Sequence, residues 1–150
     1  MSKQPYYEWD EGLGVAYCVL TYKDKKFRGE AGCHPEDKDM MSKLTGQIIA
    51  EYRATIKYLT FIRDFELRPQ LQSLNHVFHC MKNSKYFDKK SYEARMLFRH
   101  INLLQKDIDT INEEIDITKQ NLKDYIERKN KDHELIRKKR QDKALAEDNQ

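Results

Sequence analysis

From Ala94 to Tyr125 the chain carries Leu97, Ile101, Leu104, Ile108, Ile111, Ile115, Thr118, Leu122 and Tyr125, and the steps between these positions alternate four and three without a break. That alternation averages 3.5 residues, so the apolar stripe stays on one side of a helix for more than three heptads and demands a partner helix along its length. The positions between are mostly Asp, Glu, Lys, Gln and Asn, which excludes a membrane span and keeps the other side of the helix wet. The partner is either an earlier helix of the same chain or another copy.

Composition limits how the rest can fold. Only 39% of the 150 residues are hydrophobic and 35% are charged, so the core is small and the long helices are expected to need each other or a second subunit. The formal net charge of +3 is too low to argue for nucleic acid by itself. Its distribution is uneven: Ile101 to Glu127 holds three Lys against seven acids, a net of −4, while Arg128 to Arg140 holds seven Lys or Arg against two acids, a net of +5. We therefore expect one ligand-binding domain over residues 1–127 and a basic, partly frayed tail over 128–150. Three cysteines, Cys18, Cys33 and Cys80, are an odd number, and the first residues include no apolar run of signal-peptide length. An intracellular, reducing location is expected.

Residues 1–13, with Tyr6, Tyr7 and Trp9 beside Glu8, Asp10 and Glu11, read as an arm or short edge strand, loosened by Gly12 and Gly14. Val15 to Tyr22 and Phe27 to Cys33 read as a hairpin turning at Lys23 to Lys26, with both faces of the first strand at least partly covered. Pro35 stops strand pairing, and Asp39 or Ser42 is placed to cap a helix. Leu44, Ile48, Tyr52, Ile56, Leu59 and Ile62 or Arg63 trace that helix's stripe, with Ile49 widening it. Gly46 permits close approach near the start, and Ala50 and Ala54 keep the helix slim. Pro69 either kinks this helix or opens a new one, and a separate helix carrying Leu71, Leu74, Val77 or Phe78, and Met81 is predicted. Asn83 to Lys90 is short enough to connect an antiparallel helical hairpin. The long helix should begin near Asp88 or Ser91 and run to about residue 130. The fold class that follows is α+β: a small N-terminal antiparallel β-module packed on helices, with a long, coiled-coil-like C-terminal helical hairpin.

No nucleophile elbow, phosphate-cradling glycine loop or zincin pair occurs, so no catalytic set is expected. Glu36, Asp37 and Asp39 read as capping carboxylates rather than a cation site. A zinc site can be drawn from His76, His79 and Cys80 with Cys33 and His34, but the two close ligand pairs of a structural site are lacking. We read those histidines as a polar helix edge, with no metal and no cofactor. Arg95 and Arg99 are four apart, hence one turn apart on one face, and two guanidinium forks so placed can bracket a phosphate or diphosphate. Phe98, Phe87 and Phe78 supply rings to stack on a base, and Asn75 and Asn83 supply amides for its edge. The competing reading pairs Arg95 and Arg99 with Glu51, Asp64 or Glu66 and makes the phenylalanines core. Arg53, Arg63 and Arg68 form a second basic series open to the same two readings.

Gly29-Glu30-Ala31-Gly32-Cys33-His34-Pro35-Glu36-Asp37, followed by a helix containing Ile49-Ala50-Glu51-Tyr52-Arg53-Ala54, resembles the first type of the phage anti-Thoeris protein family over roughly residues 13–115. Members of that family are multimers. They hold the cyclic ADP-ribose signal of the bacterial Thoeris defence at subunit interfaces without cleaving it, and some also bind cyclic oligonucleotides at a separate site. The resemblance implies a homo-oligomer, dimer or higher, acting as a sponge for a cyclic nucleotide in the cytoplasm of an infected bacterial host. It puts Arg95 and Arg99 on the family's arginine pair, Phe78 on its aromatic, and Asn83 or Asn75 on its asparagine. Arg53 joins them as a candidate ligand contact, and neither nucleic acid nor a membrane is expected as partner. The rival is a coiled-coil interaction module, or a nucleic-acid-associated phage protein that uses the Arg128 to Arg140 block.

Overall fold

The computed structural model describes residues 4–32 and 42–149. The chain is α+β, with a three-stranded antiparallel sheet at the N-terminus and a long C-terminal helix packed on helices. The elements are β1 (Tyr6–Asp10), β2 (Val15–Tyr22), β3 (Lys25–Gly32), α1 (Lys43–Phe61), a π-helical turn (Ile62–Leu67), α2 (Arg68–Lys82) and α3 (Tyr92–Asp148). They form two compact units, one made of Met1–Thr55 with Thr118–Gln150 and the other of Ile56–Ile117.

In the first unit β2 is the central strand, paired with β1 through Tyr7↔Cys18 and with β3 through Cys18↔Gly29. Alternation decides which face is dry. Ala16, Cys18 and Leu20 are buried, while Val15, Tyr17 and Val19 are half-buried, with the Arg28 guanidinium lying 3.9 Å over the Tyr17 ring. The β2–β3 turn is tighter than expected: strand pairing continues to Tyr22↔Lys25, leaving only Lys23 and Asp24 outside, because Lys23 takes the left-handed φ of 52°. Gly14, at φ 65°, closes the β1–β2 turn by donating to the Asp10 carbonyl at 2.7 Å.

The sheet receives α1 through small residues. A Cβ on Gly29 would lie 1.9 Å from the Ala50 carbonyl oxygen and 2.6 Å from the Ala54 nitrogen, so strand and helix meet backbone to backbone. Ala50 and Ala54 are fully buried there, and Gly46 is buried a turn earlier. The expected stripe is displaced at its start. Leu44 is 65% exposed and Thr45 is buried in its stead, because the helix turns its smallest residues to the sheet and its larger apolar ones to the flanks. Ser42 is the cap: its hydroxyl accepts from the Thr45 N–H at 3.0 Å. Asp39, the acidic residues Glu36 and Asp37, and Cys33, His34 and Pro35 lie outside the described residues. Tyr52 meets Tyr125 of α3 with ring centroids 6.3 Å apart.

In the second unit the backbone stays helical through Pro69. The Arg68 N–H bonds the Arg63 carbonyl, five residues back, and this wider turn accommodates the missing proline N–H without the break that a separate helix requires. Arg63 reaches Asn112 at 2.9 Å and Phe78 meets Phe98, so α2 and the turn before it run antiparallel to this part of α3. The nine stripe positions of α3, six in this unit and Thr118, Leu122 and Tyr125 in the first, are all buried or half-buried, with Leu104, Ile108 and Ile115 the most enclosed, and most positions between them are exposed. The helix outruns the expected end near residue 130 and reaches Asp148. No Gly or Pro follows Pro69, so nothing in the sequence stops it.

Candidate functional site: an aromatic cleft with a cationic rim

Within the second unit α2, the connection and α3 enclose an open cleft of about 670 Å³. Local hydrogen bonds set its shape. Ser84 and Phe87 donate to the carbonyls of Met81 and Ser84, holding Phe87 beneath the end of α2. Ser91 caps α3 by accepting from the Ala94 N–H at 3.2 Å, which places Arg95 in the second turn. Phe78 stands edge-on to Phe87, with centroids 6.1 Å apart and planes at 86°, and tilted to Phe98 at 5.9 Å. These rings are not sealed core, since Phe98 is 53% exposed.

Five cations line the same cleft: Lys82, Lys89, Arg95, Arg99 and Lys106. No described carboxylate lines it, and among the described residues none of the five is in an ion pair. Two of the competing partners, Asp64 and Glu51, are occupied elsewhere. Asp64 is held by Arg63 at 2.9 Å and Arg68 at 2.8 Å, and Glu51 accepts from the Tyr7 hydroxyl at 2.7 Å. The Arg63 contact keeps the Asp64 carboxyl below its ordinary range and raises Arg63 in turn.

The structure thus brings Phe78, Arg95 and Arg99 together and leaves three candidates out. Asn83 sits at the end of α2 with its amide 3.1 Å from His79, Asn75 is exposed and not in the lining, and Arg53 belongs to the other unit, where it donates to the Glu30 carbonyl at 2.6 Å. The amide in the cleft is Asn102. Its signal was present in the sequence: Arg95, Arg99, Asn102 and Lys106 repeat the steps of Leu97, Ile101, Leu104 and Ile108, displaced by two residues, roughly 160° round the helix. Of the histidines, His76 lies 3.7 Å from the Cys80 sulfur and His79 is the one beside Asn83.

Such a site can stack a flat ring and neutralise phosphate. No family model matches the chain, nor does any curated protein or solved structure.

Proposed function

We propose that the protein sequesters a cyclic nucleotide immune signal, a cyclic ADP-ribose isomer, without degrading it, and so blocks a bacterial anti-phage defence in the cytoplasm of the infected host. The observation that carries this reading is the convergence of an unpaired arginine couple and three phenylalanines on one cleft. Arg95 and Arg99 hold the diphosphate, Phe78 stacks on the base, and Asn102, in place of Asn83 or Asn75, reads a polar edge. A sponge needs affinity and no turnover, so a lining of rings, cations and one amide is sufficient. Met96 and Leu103, 44% and 51% exposed on the same stretch of α3, suit cover by a second copy, in keeping with a homo-oligomer. The test is to incubate the protein with cyclic ADP-ribose isomers, denature it and identify what is released. Intact ligand in stoichiometric amount supports sequestration, and product that accumulates with time makes the protein a hydrolase instead.

A second reading draws on the basic end of α3, where every residue from Glu134 to Asp148 is exposed and Arg137 to Arg140 is a run of four cations. In that reading the helix is an interaction module for a polyanion, binding falls steeply with salt, and truncation after Tyr125 abolishes it. Sequestration in the cleft survives that truncation.

A further inference from the structure

The cleft carries more positive charge than a diphosphate uses. Arg95 and Arg99 already match that group, yet Lys82, Lys89 and Lys106 line the same space, and no described carboxylate in the lining offsets them. Like charges gathered on one apolar-walled cleft repel each other, and an anionic occupant relieves the repulsion. Their origin matters as much as their number. The arginines and Lys106 all stand on α3, whereas Lys82 ends α2, one turn beyond Phe78, and Lys89 lies in the connection two residues past Phe87. Cations are therefore supplied from both walls, with the three rings contributed by the same two walls. The chemistry differs too, since planar guanidinium forks suit a diphosphate held in one geometry and the flexible ammonium groups suit a single, mobile phosphate.

We propose, resting on the sponge reading above, that the favoured occupant is a cyclic nucleotide bearing a further phosphate in addition to its diphosphate, with the further phosphate taken by Lys82 and Lys89. The ligand class is a phosphorylated cyclic ADP-ribose rather than its unphosphorylated parent. The discriminating probes are cyclic ADP-ribose and cyclic ADP-ribose 2′-phosphate, which share ring and diphosphate and differ by one phosphate. Calorimetry on the full chain is expected to give about tenfold or more tighter binding of the phosphorylated member, as an added charge-assisted contact does. In the Lys82→Ala/Lys89→Ala variant, checked for folding by circular dichroism, the ratio of the two affinities should collapse toward one. A parent protein that binds the phosphorylated probe no better than the other overturns this inference, as does a ratio that the variant leaves intact. Should the released-ligand experiment still recover an intact cyclic isomer, only the added phosphate is wrong. Should it recover none, the sponge reading falls as well.

Discussion

The interface of the sheet with α1 and the cleft between α2 and α3 solve opposite problems. The first is closed by small residues: Gly29, Ala50 and Ala54 let backbones touch, and Cys18 is buried beside them with its thiol pushed up to about 11, chiefly by burial and then by the Glu51 carboxylate. The second is lined by large rings and long cations that stay apart, with Phe98 half in solvent and the arginines unpaired. Contacts at the first are satisfied within the fold, whereas those at the second await something else. A residue at the first should therefore matter to stability, and a residue at the second to binding.

The largest effect is expected at the closest contact. Gly29→Val puts a branched side chain into backbone atoms that cannot yield, and should cost about 4 kcal/mol or more or prevent folding, read by chemical denaturation. Next is Ile115→Ala on the α3 seam, 2% exposed, with an expected loss of roughly 3 kcal/mol. Ser42→Ala removes the α1 cap and should cost about 1 kcal/mol. Asp64 gives a smaller, pH-dependent term. Its folded pKa is depressed, so its contribution is complete above the ordinary carboxylate range and is lost as pH falls through the lower folded value; Asp64→Asn should flatten the stability profile below about pH 4 and leave its shape unchanged near neutrality. Thiol alkylation draws the contrast without mutation: exposed Cys80 should be labelled while the protein is native, and Cys18 only on unfolding, as resolved by peptide mass spectrometry. Native labelling of Cys18 would mean that the sheet–helix interface opens readily.

The α3 seam was legible because periodicity reports directly which face is covered, and each of its nine positions is at least half-buried. The hairpin was legible for equally local reasons, and the cap was narrowed to Asp39 or Ser42, of which Ser42 accepts from the Thr45 N–H. The face of α1 was less so. Hydrophobicity points to Leu44, whereas the close approach of β3 selects Ala50 and Ala54, which the sequence marks only as a slim stretch until the partner Gly29 is seen against them. Pro69 announced a boundary, but whether a proline breaks a helix or widens one turn depends on the i−5 acceptor available from Arg63. In the cleft the arginine pair followed from spacing alone. Asn102 escaped because its row, nearly opposite a stronger apolar one, reads as an ordinary solvated face, and the lysines because single exposed lysines look the same whether or not they share a cavity.

The most direct test is equilibrium binding of cyclic ADP-ribose isomers to the parent protein and to Arg95→Ala/Arg99→Ala, with thermal unfolding of both. Both arginines are exposed and unpaired among the described residues, so the account predicts that the double variant keeps the parent's unfolding temperature while binding is lost. A double variant that binds as tightly as the parent, or a parent that binds no isomer, would contradict it.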